Sequence, residues 1–230
     1  MLTDFWSFHH NQSGLAFVKD FSAGFYHQSG FISEMDYQAI GLLVPVSSGA
    51  LAGSFSYYGY EHYHQTKAGI AYGRYLAKNL AAGIQIDYFH TRIAGIYGSD
   101  HLLTFEAGLH LRINERCVAG AHVFNPVRQG MGQYDEKISV VIRLGAGYDF
   151  SDRLLLCIEA EKDMEKPLVP KLALEYELVP FFHLRTGISL NPVQNAFGMG
   201  YTWNDLQADV AFLFHPLLGN IPNFSLTYAF

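Results

Sequence analysis

The chain has 230 residues, half of them apolar and 15% aromatic, yet its mean hydropathy is only +0.07 and its net charge −6. That balance supplies no basic field for nucleic acid, and no Lys/Arg cluster interleaves with aromatics as a strand-binding groove requires. No stretch reaches the roughly 18 uninterrupted apolar residues of a membrane-spanning helix, so a membrane-spanning reading has to rest on strands. Cys117 and Cys157 are too few and too far apart for a disulfide framework or a zinc site. No linker or low-complexity run divides the chain, and one domain is expected.

In chain order, the opening MLTDFWSFHHNQ has neither a basic n-region nor an apolar h-region, so no export signal is visible. Residues 1–19 read as an N-terminal segment able to plug a lumen, and residues 20–230 as a barrel. From residue 20 onward, period-2 alternation marks about fourteen segments of the length that crosses a bilayer at a barrel's tilt. They fall near 20–28, 36–46, 50–60, 65–76, 80–90, 103–113, 116–125, 139–150, 153–163, 170–178, 182–191, 197–203, 206–215 and 223–230. Several are clean. Leu103, Phe105, Ala107, Leu109 and Leu111 share one face, while Thr104, Glu106, Gly108, His110 and Arg112 share the other. At the end, Phe224, Leu226, Tyr228 and Phe230 alternate with Ser225, Thr227 and Ala229.

The connectors take turns between long and short, as in an outer-membrane barrel with longer extracellular loops, short periplasmic turns and both termini inside. The segments around Gly95–Asp100 and Gln129–Glu136 are expected to be the largest loops, on one side. About fourteen strands enclose a space too wide for side chains to fill with oil, so the charged face belongs indoors and the apolar face against lipid. The candidate lumen charges are Glu106, Arg112, Arg143, Glu161, Glu175 and Arg185. A turn at Val179, Pro180 and Phe181 sets Glu175 opposite Arg185 and Glu177 opposite His183. Mutual neutralisation, a structural ladder, is the commoner role for such charges than substrate selection. Tyr57, Tyr58, Tyr60, Phe150, Phe181, Phe182, Trp203 and Phe230 suit the interfacial aromatic girdles. Ser99, Asp100 and His101 are adjacent, which a spatial relay does not favour. His9/His10 and His62/His64 lack Cys or carboxylate partners at ligand spacing. Gly145/Gly147 and Gly198/Gly200 alternate with strands and precede no helix, so they read as room inside the barrel. No catalytic residue, metal or cofactor is expected.

HNQSGLA, His10 to Ala16, resembles the NPAGLA segment near the N-terminus of FadL-like fourteen-stranded barrels, among them the PorV/PorQ proteins of Bacteroidota. Asn11, Gly14, Leu15 and Ala16 match, whereas Gln12 and Ser13 depart from its Pro-Ala. The last strand, with Tyr228 and Phe230, resembles the C-terminal signal read by the bacterial barrel-assembly machinery. The family's Gly-rich segment ahead of the motif is missing, which implies that Met1 is not the true start. The resemblance implies a bacterial outer-membrane location, with membrane lipid and the assembly machinery as partners. It implies two functions: PorV/PorQ-like service to type IX secretion, with secretion-system or exported proteins as partners, or FadL-like transport of hydrophobic small molecules. The short strands and loops favour the first.

Overall fold

The computed structural model describes residues 4–30, 32–95, 98–131, 136–217 and 219–230. Alternating apolar and polar residues can satisfy both faces of a sheet only when each face meets a different medium. The chain accordingly forms strands β1 (Ser22–Gln28), β2 (Tyr37–Val46), β3 (Gly49–Tyr60), β4 (Tyr63–Ala77), β5 (Leu80–Ile93), β6 (Gly98–Arg112) and β7 (Cys117–Phe124). A two-stranded hairpin of β8 (Gly130–Met131) and β9 (Glu136–Lys137) follows. The wall then resumes with β10 (Val141–Ser151), β11 (Leu154–Asp163), β12 (Val169–Val179), β13 (Phe182–Ser189), β14 (Gln194–Trp203), β15 (Leu206–His215) and β16 (Gly219–Ala229). All of these except β8 and β9 join in one closed antiparallel barrel, fourteen strands among the described residues.

Closure falls between the last strand and the first. Ser22 pairs with Ala229 and Gln28 with Asn223, and the Phe230 amide donates to the Phe21 carbonyl at 2.8 Å. No open edge of unpaired amides is left at the seam, the condition a strand-built wall must meet in hydrocarbon. The apolar face points outward: Ile70 is 72% exposed, and Ile86, Leu103, Leu144, Ile158 and Trp203 are exposed with it. Their neighbours Gln85, Asp87, Thr104 and Glu106 are buried inside. A soluble barrel does the reverse, so this is the surface of a membrane-spanning one. No helix among the described residues is long and apolar enough to cross a membrane.

Three expectations change. Strand β6 begins at Gly98, and Ile93 pairs with Gly98, so 98–100 belong to the barrel wall instead of a large loop. The reason is that alternation continues beyond the apolar stretch, and hydrogen bonding between strands persists after the lipid-facing side chains stop. Residues 96 and 97 lie outside the described residues, as do 132–135 of the other expected loop. Second, loop lengths do not alternate cleanly, because β3 and β4 pair up to Tyr60 and Tyr63, and β15 and β16 up to His215 and Gly219. Third, Tyr58 is directly opposite Tyr37, which lines the interior, so the 57–60 aromatics do not all belong to an outer girdle.

Candidate functional site: the occupied lumen

The N-terminal segment lies inside the barrel. It consists of α1 (Ser7–His10) and a short 3-10 helix, Gln12–Phe17, which packs against β3, β4, β5 and β6. Phe8 and Leu15 are buried against Leu43, Ala50, Ala52 and Ala71, so apolar burial fixes one side of the segment. Asn11 is the joint between the two helical turns. Its Oδ1 accepts from the Ser13 amide at 3.1 Å, a side-chain cap, while its Nδ2 donates to the carbonyls of Leu109 and Ala121 at 3.0 and 3.1 Å. The wall makes room by omission of side chains. A Cβ on Gly83 would collide with the Gln12 carbonyl, and one on Gly108 with the Asn11 side chain.

Below this contact sits a buried ionic cluster. Gln12, 0% exposed, donates to Glu106 Oε2 at 2.8 Å and to the Phe8 carbonyl at 3.1 Å. The other Glu106 contacts are Lys67 Nζ at 2.5 Å and His122 Nε2 at 3.0 Å. Lys67 also meets Asp87 at 3.3 Å, whose carboxylate accepts from Gln85 at 2.7 Å, and its ammonium lies 5.5 Å from the Phe89 ring centroid. The Lys67 ammonium is tolerable indoors because two carboxylates face it, while Gln12 Oε1, Gln85 Oε1, Asp87 Oδ2 and His122 Nδ1 are buried with no hydrogen-bond partner among the described residues. Across the lumen, Arg143 pairs with Glu161 at 2.7 Å, and Lys171 bridges Glu159 and Glu161 at 2.9 Å each. Arg185 holds Glu175 at 2.5 Å and also bonds Asp209.

Between the segment and these networks is a cavity of about 440 Å³. Phe5, Trp6, Tyr26 and Tyr37 line it together with Lys67, Arg143 and Arg185 and the carboxylates Asp4 and Asp209. His9 also lines it. Burial, with Lys67 nearby, depresses the His9 imidazole to about 3, so the ring is neutral near pH 7.

Of the residues singled out in the sequence, Glu106, Arg143, Glu161, Glu175 and Arg185 enter these networks. Arg112 does not: it ends β6 and is exposed. Asn11 and Leu15 anchor the N-terminal segment, Ala16 belongs to the same turn, and Gly14 lies where a Cβ would strike Ser7. Tyr228 and Phe230 face outward, their rings 4.8 Å apart. Asp100 Oδ1 accepts from the His101 backbone amide at 2.8 Å, and the His101 ring contacts the Tyr88 hydroxyl at 2.6 Å. Among the described residues no group of three His, Cys, Asp or Glu side chains converges as a metal site. Sequence reasoning missed Gln12, Lys67, Asp87, His122 and Asp209. For Lys67 and Asp87 a signal existed: each alternates with small or polar residues, Gly69 and Ala71 or Gly83 and Gln85, on a strand whose other face is apolar.

No family model matches the sequence, and no curated protein is similar enough in sequence to be matched. Solved structures are similar in fold. A Pseudomonas aeruginosa FadL homologue superposes with a TM-score of 0.72 at 12% identity, over 100% of this chain and 95% of that one. The Ralstonia pickettii toluene transporter TbuX gives 0.72 at 8% identity, over 97% and 93%. The Pseudomonas putida toluene transporter TodX gives 0.67 at 11% identity, over 97% and 91%. At such identities the likeness establishes the fold, that of a FadL-like barrel, here with a helical segment seated in its lumen.

Proposed function

We propose that this chain is a bacterial outer-membrane barrel that passes small, largely apolar molecules through its lumen, with residues 1–19 acting as the plug. The observation that carries this reading is the N-terminal segment held inside the wall beside a partly aromatic cavity of about 440 Å³. The toluene transporters that share the fold support it by analogy alone. The outward apolar face meets membrane lipid, and Tyr228 and Phe230 on the closing strand serve as the signal for the barrel-assembly machinery. Removing residues 1–17 from the purified barrel should turn a poorly conducting protein into an open pore in planar bilayers. Equal conductance with and without the segment overturns the plug. Cells carrying the gene should show saturable uptake of a monoaromatic compound, and non-saturable uptake equal to that of empty cells overturns transport.

A second reading, a PorV/PorQ-like accessory of type IX protein secretion, draws support from one feature. The far lumen wall is cross-braced by Arg143, Lys171 and Arg185 with their carboxylates, a polar wall instead of an oily path. Recovery of secretion-system components on purification from native outer membrane favours this reading over transport.

A further inference from the structure

The outward side of β3–β6 is apolar at mid-height, where Phe55, Ile70, Ile86 and Leu103 are exposed on four consecutive strands. Further along the same strands, toward the end of the barrel away from both termini, the outward side chains change character. His64 stands directly opposite Arg92, and His90 directly opposite His101. Tyr57 stacks on His64 at 5.4 Å, His64 lies 6.3 Å from His90, and His90 stacks on His101 at 4.7 Å and 16°, so one band of rings crosses from β3 to β6. Tyr88 closes it, its hydroxyl 2.6 Å from His101 Nδ1.

These imidazoles do not converge on one point, and no metal site forms among the described residues. They are hydrogen-bonding groups short of partners. Among the described residues His101 Nδ1 is the one imidazole nitrogen of the band with a hydrogen bond, and His64 Nδ1 is buried without one. Arg92 is exposed and forms no ion pair among the described residues. Every carboxylate of β4–β6 is on the inward side: Asp87, Glu106 and Asp100, which pairs with Thr91. Glu61, exposed in the turn between β3 and β4, makes no ion pair with Arg92 either. A recess of about 330 Å³ opens at the same corner, with His90, Arg92 and Ser99 in its lining. An interfacial girdle needs rings alone, as Tyr148, Phe150, Tyr201 and Trp203 supply at the other end of the barrel.

We infer that this corner of the outward rim binds the phosphate headgroup of an outer-leaflet lipid, with Arg92 supplying charge, His90 and His101 supplying N–H donors to the phosphate oxygens, and Ile70, Ile86 and Leu103 bedding the acyl chains. An imidazole presents at least one N–H in either charge state, and a guanidinium matches phosphate geometry with two parallel donors. The level names the occupant. In a bilayer, side chains just beyond the apolar band of a barrel meet the headgroup layer, and an unmatched cation there finds its counter-charge on lipid phosphate. The inference goes beyond transport and rests only on the membrane-spanning barrel.

The test is native mass spectrometry of the full chain in detergent, titrated with three probes: dioctanoyl phosphatidate, dioctanoylglycerol, which lacks the phosphate, and inorganic phosphate. Phosphatidate should bind at least about tenfold more tightly than either of the others. Arg92→Gln should lose about that tenfold, and so should the pair His90→Phe with His101→Phe, which keeps both rings and removes their N–H groups. Lys162→Gln, outward on β11 and away from the band, should change nothing. Strand circular dichroism and heat-modified gel mobility verify folding. Equal binding of dioctanoylglycerol would reduce the band to an aromatic girdle, and equal binding of inorganic phosphate would make its ligand a free anion. Undiminished phosphatidate binding in both band variants, or an equal loss in Lys162→Gln, would place the headgroup elsewhere. Each of these results overturns the proposal. Conductance and uptake do not enter the readout, so the transport reading stands or falls separately.

Discussion

Glu106 is the residue on which most of the interior converges. It is 2% exposed and accepts from Lys67, Gln12 and His122 at once. Replacing it with Gln removes the charge opposite Lys67 and exchanges one acceptor oxygen for a donor, leaving Asp87 as the only carboxylate in contact with the ammonium. Breaking a buried pair in this way costs about 3 to 5 kcal/mol. Glu106→Gln should therefore lower the unfolding midpoint in urea with detergent far more than Glu175→Gln, because in each case the cation keeps a second carboxylate but Glu106 is buried, whereas the Glu175 and Arg185 side chains are 19% and 30% exposed. Equal losses would mean that burial does not set the energetics here. Gln12 gives a complementary test, because it stands where the resembling motif has proline. Position 12 opens the 3-10 turn, where proline's fixed φ is acceptable, so Gln12→Pro removes the side-chain donations to Glu106 and Phe8 with little backbone cost. Its expected result is a raised bilayer conductance with near-wild-type barrel stability. An unchanged conductance would show that Phe8 and Leu15 hold the segment without this bond.

At the scale of strands, the hairpin β12–β13 shows what alternation can and cannot say. The opposition of Glu175 to Arg185 and of Glu177 to His183 is readable from sequence with a turn at Val179, Pro180 and Phe181, and the structure has both pairs, although by another route: Val179 itself pairs with Phe182, and a register shift between Glu177 and Val179 restores the expected partners. The third member, Asp209, was not readable. It sits on β15, and its contact with Arg185 passes over β14 at Gly200, where a Cβ would collide with the Asp209 carboxylate. Contacts that skip a strand depend on side-chain length and on a missing side chain between them, neither of which a pairwise register encodes. The triad changes the outcome of charge exchange. Glu175→Arg should lower the refolding yield by placing like charges opposite each other. Adding Arg185→Glu restores that pair but sets Glu beside Asp209, so the double variant should recover only partly. Adding Asp209→Arg should recover the rest. Full recovery in the double variant would mean that the Arg185–Asp209 contact carries no weight in the folded barrel. The N-terminal segment follows the same logic: its motif was legible, but the ionic cluster under it assembles β4, β5, β6 and β7, and no single stretch of sequence contains it.

For the molecule as a whole, one assignment underlies the others: charge indoors and apolar side chains against lipid. Alternation divides each strand into two faces but does not name the inner one; the closed ring of strands does, because Glu106 and Asp87 are buried while Ile70 and Ile86 are bare. Ile70 is the sharpest place to test this. It lies in the middle of β4, 72% exposed, with Gly69 and Ala71 on either side facing in. In water, an exposed Ile→Arg change is nearly neutral, within about 0.5 kcal/mol. At the midplane of a bilayer, on the lipid face, the same change costs about 2 to 4 kcal/mol. The two media therefore predict different signs of concern for one substitution. Ile70→Arg should lower stability in reconstituted vesicles by that larger amount and reduce insertion yield, while Lys78→Arg in the turn between β4 and β5 should change neither. If Ile70→Arg inserts and unfolds like the parent, or makes the protein monodisperse without detergent, the outward face meets water. The inward charges would then need an account other than exclusion from lipid.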